Sequence, residues 1–370
     1  MRYIETFKDG DRISEVYLCK SKSSALTKAG KEYENVILID KTGQIDSKIW
    51  DVNSGGICDF EVNDYVFVNG QVTSYNGALQ FKIERIRVAA EDEYTPTDYI
   101  PSSRYDIEQM YEELLGFVRS VDNPYIKQLL EAFFVEDEAF IKKFKNTSAA
   151  KTVHHGFMGG LLEHSLSVTR LCAKMSENYD FLNRDLLISC AMLHDVGKVR
   201  ELSEFPRNDY TDEGNFIGHI VIGYEMVIEK IRHIPDFPEI LANEVGHCIL
   251  SHHGELEYGS PKKPALIEAL ALNFADNTDA KMETFIEALA DGAVRCGMSR
   301  QDAYEFAAQT VYGSAKMVLE TKAHPGILKD MVCSPAGTTI DAVKVLEDNG
   351  FRSAIMKATE ACFDKCENIK

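Results

Sequence analysis

Long apolar runs are missing from this sequence. No stretch approaches the roughly 18 consecutive apolar residues that a membrane-spanning helix requires, and Met1-Arg2-Tyr3-Ile4-Glu5 has no apolar signal core. No membrane partner is expected, and a cytoplasmic location is. Cysteine is sparse and unpatterned: nine residues, an odd number, with no Cys-x-x-Cys pair. That excludes a Cys-ligated zinc knuckle and points to free thiols in a reducing compartment rather than a disulfide frame. No strand-GxGxxG-helix unit occurs, so no NAD(P) site is expected. No internal repeat or low-complexity segment is present. Positive charge is also short, with 40 Lys+Arg against 59 Asp+Glu and a net charge of −19. Such a balance normally counts against polyanionic partners.

The deficit is uneven. Residues 1–90 hold 12 Lys+Arg and 13 Asp+Glu, so nearly all the negative charge lies beyond them. Lys20, Lys22, Lys28 and Lys31 fall in a stretch, Val16 to Lys31, without any acidic residue. A nucleic acid would meet this part first. The same region reads as short strands: Arg12–Lys20, Tyr33–Asp40, Ile45–Trp50, Tyr65–Tyr75 and Ala78–Val88. Lys41-Thr42-Gly43 and Tyr75-Asn76-Gly77 are the turn signals between them. Five strands in so short a span are expected to close into a small barrel, because an open sheet leaves unpaired edges. Its Lys-rich loop and the aromatics Trp50, Tyr75 and Phe81 are candidates for binding single strands by charge and stacking. Each of these aromatics can equally be barrel core.

From Tyr105 onward the apolar period is helical, after a Pro-containing acidic linker over 93–104. Here the histidines carry the chemistry. Leu161, His164, Val168 and Leu171 share one helical face, so His164 points inward. An apolar helix from Leu186 runs into His194-Asp195-Val196-Gly197-Lys198, where Gly197 reads as a C-cap. His219 opens another helix. His252, with His253 beside it, continues the inward stripe Leu241, Val245 and Cys248 or Ile249, whereas His247 reads as a surface residue. Asp276 follows Ala269 and Leu272 on a further inward face.

One inward histidine is ordinarily a hydrogen-bonded core residue. Four or five together with two inward aspartates call for a cation, since burying them unpaired is expensive. Mixed imidazole and carboxylate donors suit manganese, iron, zinc or cobalt. Two ions sharing one aspartate would make a clamp for attack on phosphorus.

His164, His194-Asp195, His219, His252-His253 and Asp276 together resemble the HD phosphohydrolase superfamily. The strings Gly-Gly-Leu-Leu-Glu-His (159–164), His-Asp-Val-Gly-Lys (194–198) and Ser-His-His-Gly-Glu-Leu-Glu-Tyr-Gly-Ser-Pro (251–261), after a barrel, resemble the YhaM-type 3′→5′ exoribonucleases. The resemblance implies an oligonucleotide-binding (OB) barrel over 1–92 and an all-α HD domain over 105–283. It implies that His164, His194, Asp195 and Asp276 hold one ion. Asp195 would bridge to a second ion held by His219 and His252 or His253, manganese first, with cobalt, iron, magnesium or zinc as alternatives. Lys198 would neutralise phosphoryl charge, and His154 and His155 are candidates for substrate contact or a helix cap. The expected partner is single-stranded RNA or single-stranded DNA. Hydrolysis of small or cyclic nucleotides, and a non-catalytic nucleic-acid-binding or assembly role, stay open. Asn273 stands where many relatives are expected to have histidine.

After Glu283 the composition changes to helices rich in small residues, ending near Ser334-Pro335-Ala336-Gly337-Thr338-Thr339. The turn should deliver Thr338 or Thr339 as an N-cap, with free N–H groups that can receive an anion. Residues 284–370 resemble the dimerisation domain of pyrroline-5-carboxylate reductase. There the matching loop helps bind a carboxylate, which makes Ser334, Thr338 and Thr339 a vestigial anion site by resemblance. Without a dinucleotide-binding half no reductase activity is expected, and a homo-oligomer is. The expected architecture is therefore multidomain: a small OB-like β-barrel, an all-α HD-type domain and an all-α C-terminal tail.

Overall fold

A computed structural model describes residues 1–356 apart from 28–29, 101, 104, 152–155 and 355. Lys28, His154 and His155 lie outside the described residues. The chain forms two compact units, Met1–Thr284 and Phe285–Lys370. No helix among the described residues is long and apolar enough to cross a membrane.

The first unit begins with β1 (Arg12–Leu26), β2 (Glu32–Asp40), β3 (Gly43–Ile49), β4 (Tyr65–Tyr75) and β5 (Ala78–Val88). They close in the order β1-β2-β3-β5-β4. All neighbours are antiparallel except β3 and β5. Closure depends on β1. Its first half, to Leu18, pairs with β4, and the stretch from Leu18 onward pairs with β2; an irregularity at Cys19/Ser21 marks the transfer. Because of that pairing β1 runs to Leu26, so Lys22 stands on a strand rather than in the loop expected after Lys20. Asn76 and Gly77, both at positive φ, make the two-residue turn joining β4 to β5. Alternate side chains from all five strands fill the interior, among them Tyr17, Val36, Leu38, Ile49, Val68, Phe81 and Ile86.

The 93–104 segment is not a free tether. Tyr94 stacks on Tyr65, and Tyr99 and Ile100 join a cluster with Val16 and Leu18 of the barrel and Met158 of the helical part. Ser103 continues this seam, donating its backbone N–H to Met158 and its hydroxyl to Glu163.

Helices follow: α1 (Ile107–Arg119), α2 (Pro124–Phe134), α3 (Glu138–Asn146), α4 (Gly160–Asn178), α5 (Arg184–Leu193), α6 (Lys198–Glu201), α7 (Asp212–Phe216), α8 (His219–His233), α9 (Glu239–Ser251) and α10 (Ile267–Arg295). Their lengths follow from caps. Asp106, Asn123, Asp137 and Asn183 each accept a backbone N–H in the first turn of α1, α2, α3 and α5. Every residue of α5 from Leu186 to Leu193 is buried, so it is the central helix, packed against α2, α4 and α9.

In the second unit, α11 (Arg300–Thr321), α12 (Pro325–Val332) and α13 (Thr338–Asp348) follow the end of α10. Among its described residues the buried core holds Ala290, Ala303 and Ala307, flanked by Ile286, Ala293, Val294 and Tyr304. Phe306, Tyr312, Leu319, Met331 and Val345 remain exposed. The N-cap of α13 is Gly337, which makes no side-chain cap, so Thr338 and Thr339 occupy its first turn instead of capping it.

Candidate metal centre

Helix ends deliver the site. The central helix α5 stops at His194, which caps its C-terminus, and Asp195 follows. Helix α9 ends the same way at His252 and His253. His164 comes from the first turns of α4, His219 from the first residue of α8, and Asp276 from α10. His164, His194, Asp195 and His252 are buried.

What brings α8 so close is Gly197. It adopts ordinary helical φ and ψ as the N-cap of α6, not a left-handed C-cap. A Cβ there would lie 2.0 Å from the His219 carbonyl oxygen and 2.6 Å from the Gly223 nitrogen. Glycine is therefore required for backbone contact, which lets His219 reach Asp195.

Each of the five imidazoles has its Nδ1 occupied. His194 donates to the Ala191 carbonyl (2.8 Å), His252 to Ile249 (2.7 Å) and His253 to Tyr258 (2.9 Å). His164 donates to Asp279 (2.8 Å) and His219 to Glu201 (3.0 Å). These partners only accept, so the proton sits on Nδ1 and Nε2 is left to face the cluster. Two donor sets result. His164, His194 and Asp276 form one, and His219, His252 and His253 the other. Asp195 stands between them. Its Oδ2 lies 3.5 Å from His164 Nε2 and 3.4 Å from His194 Nε2, and its Oδ1 lies 3.4 Å from His219 Nε2 and 3.7 Å from His252 Nε2. His164 Nε2 is 3.3 Å from Asp276.

Bonds of about 2.0–2.2 Å to a common ion place donors roughly 3.0–3.5 Å apart. The spacings of His164 and His194 to Asp195, of His219 to Asp195 and of His164 to Asp276 fall in that range, while His252–Asp195 at 3.7 Å and His194–Asp276 at 4.0 Å are longer. More telling, Asp195 Oδ1, His219 Nε2 and His252 Nε2 are buried without a hydrogen-bond partner among the described residues. Buried polar atoms are nearly always satisfied, and a cation satisfies several lone pairs that face one another at once. The donor set fits a divalent ion.

Burial opposes charge on His164, yet its hydrogen bonds with Asp276 and Asp279 outweigh it and raise its pKa to about 10, so an ion bound there takes the place of the proton on its Nε2. Burial and the neighbouring histidines push His252 down; burial and His219 do the same to His253, which keeps both imidazoles neutral. Burial would raise Asp195, but Lys198 and His194 hold it well below the usual carboxylate range. Lys198 Nζ donates to Asp195 Oδ2 at 2.6 Å, and its ammonium form is favoured by that carboxylate despite burial.

Asp279 and Glu201 escaped the sequence reading. Asp279 lies three residues after Asp276, on the same helical face, and also accepts from the Ser167 hydroxyl. Glu201 lies three residues after Lys198 and accepts both the ring and the backbone N–H of His219. Asn273 fills its expected outer place differently, donating its amide to the His252 carbonyl at 2.7 Å. His247 is not simply a surface residue: half-buried, it accepts the Ala265 N–H at 2.8 Å.

The candidate nucleic-acid contacts are on the barrel. Trp50 is exposed and stacks on Tyr33, with ring centroids 4.8 Å apart, and Tyr75 is exposed. Phe81 is wholly buried in the barrel core and offers no stacking surface. Lys22 is committed internally, to Phe60 and Glu34, while Lys20 contacts Gln44 and Lys31 lies near Asp51 at the surface.

Comparison with known proteins gives two family matches. Residues 161–281 match the HD domain. Residues 278–369 match the pyrroline-5-carboxylate reductase dimerisation family. Among solved structures, the HD domain of the L. monocytogenes phosphodiesterase PgpH is 16% identical, with 48% of this chain and 98% of that one covered and a TM-score of 0.26. The second OB-fold domain of replication protein A from Methanococcus maripaludis is 21% identical, with coverages of 22% and 85% and a TM-score of 0.17.

Proposed function

We propose that this protein is a divalent-metal-dependent phosphodiesterase of the YhaM type, removing nucleotides from the 3′ end of single-stranded RNA. The coarser part, phosphohydrolase chemistry, is supported by the HD-domain match over 161–281. The observation that carries it is the convergence of the orphaned Asp195 Oδ1, His219 Nε2 and His252 Nε2 in a site made almost wholly of acceptors.

In this reading His164, His194, Asp195 and Asp276 hold one ion, and Asp195, His219, His252 and His253 the other, manganese being our first choice. Divalent ions supply Lewis-acid polarisation of a phosphoryl oxygen and water acidic enough to attack phosphorus at neutral pH. Asp195 ties the two sites together through its two oxygens. Lys198, anchored on Asp195 Oδ2, places a permanent positive charge beside the reacting phosphate. The barrel supplies the grip on the strand, with the Trp50–Tyr33 pair as a stacking platform and Lys20 and Lys31 as surface cations. The exposed apolar side chains of α11–α13 and the dimerisation-family match support pairing with a second copy.

The test uses 5′-labelled single-stranded RNA with Mn²⁺. A ladder shortening from the 3′ end with release of mononucleotides is expected, and Asp195→Asn should abolish it. A second reading, hydrolysis of small nucleotides, is favoured by the acidic balance beyond residue 90. Turnover of free nucleotides with RNA left intact would select it. No hydrolysis of either would leave a non-catalytic binding role.

A further inference from the structure

Three of the five histidines take their orientation from the backbone beside them. The Nδ1 acceptors of His194 and His252 are carbonyls three residues earlier, and that of His253 is a carbonyl five residues later. Such contacts form whenever the local turn forms. His219 is different, because its ring is fixed by a side chain on another element. Glu201 Oε1 accepts the His219 ring Nδ1–H at 3.0 Å and its backbone N–H at 2.9 Å. One carboxylate oxygen thus sets both the start of α8 and the rotation of the imidazole. Glu201 is itself buried, 8% exposed. Thr211, the N-cap of α7, bonds to the carbonyls of Arg200 and Glu201, and Arg200 pairs with Glu213 on α7. The backbone that carries Glu201 is therefore tied to α7, and its carboxylate is buried against the start of α8.

Charge makes this contact matter more at one donor set than at the other. The set containing His164 and His194 has two carboxylates, Asp276 and Asp195. The set containing His219, His252 and His253 has only the shared Asp195. Lys198 offsets part of the Asp195 charge on the side of the first set, but Asp276 and Asp279 still leave that set with more carboxylate, so a dication is attracted less strongly by the second set. A carboxylate on the far ring nitrogen raises the basicity of a ligating imidazole and locks its tautomer. Glu201 supplies the carboxylate that the second set otherwise lacks.

We propose that Glu201 is a positioning residue for the His219 set alone, so that the two ions load with unequal affinity and Glu201 governs the weaker one. This rests on the two-ion reading above. Asp279 plays the corresponding part for His164 in the tighter set.

The test is metal binding by the full-length protein, stripped of metal and titrated with Co²⁺, followed by calorimetry and by the visible absorption of bound cobalt. Wild type should bind two equivalents, one tighter than the other. Glu201→Gln, which keeps an acceptor without the charge, should weaken only the second equivalent, by about 10- to 100-fold. Glu201→Ala should weaken it further, and Asp279→Asn should weaken the first. The cobalt spectrum of the first equivalent should stay unchanged in Glu201→Gln, which also shows that the variant is folded. Equal weakening of both equivalents, or of neither, in Glu201→Gln overturns the proposal while leaving the two-ion reading standing. A wild-type chain that binds no cobalt, or only one equivalent, overturns that reading and the proposal with it.

Discussion

Replacing Gly197 by alanine tests how the site is assembled without touching any donor atom. The new Cβ would sit 2.0 Å from the His219 carbonyl oxygen, where real Cβ contacts essentially never fall below 3.0 Å. Helix α8 would have to retreat by about 1 Å at its first turn, because the obstructing atoms are backbone and no side chain can swing away. Overpacking of this kind costs about 1–3 kcal/mol of stability. The functional effect should be larger, because His219 moves with the helix and a displacement of about 1 Å in a reacting geometry lowers rate by roughly 10²-fold. Metal-dependent hydrolysis measured beside thermal denaturation separates the two effects. The expected result is a folded protein, modestly destabilised, that keeps its first ion and loses affinity for the second. A Gly197→Ala protein with wild-type affinity for both ions would refute the close-contact account of that glycine.

Two further outcomes follow from the fold. The chain has a single tryptophan, so its fluorescence reports on the barrel face that carries Trp50. Adding single-stranded oligonucleotide should quench it, and Trp50→Ala should weaken binding by about 1–3 kcal/mol. Phe81→Ala should instead destabilise the barrel by about 3–5 kcal/mol through a core cavity, with folded protein binding normally; the reverse pattern in oligonucleotide titrations and melts would show the assignments exchanged. Chelation should lower the melting temperature, and re-adding Mn²⁺ at 100 times its dissociation constant should restore about 2.7 kcal/mol. A melt indifferent to chelator and Mn²⁺ would count against a structural hold on the ion by Asp195 and its neighbours.

Periodicity and spacing in the sequence determined more than the fold class. Period-two alternation located five strands, and helical phase placed His164, His252 and Asp276 on inward faces, because a side chain's direction about its own helix is fixed by 3.6 residues per turn. The adjacency of His194 and Asp195 at the end of an apolar helix needed no tertiary information either. What lies across from each face did. Alternation along β5 is the same whether Phe81 turns into the barrel or out of it, and only closure through β1 and β4 made that side the interior. Gly197 read as a C-cap because its actual constraint is the backbone of α8, 22 residues later at His219. Thr338 read as a cap, yet Gly337 adopts the extended conformation that a cap requires. Glu201 and Asp279 had no signature as partners of His219 and His164, since a hydrogen bond to the far side of an imidazole is made by whatever element folding brings beside it. Local chemistry chose the donors of this site; packing between helices chose how they are aimed.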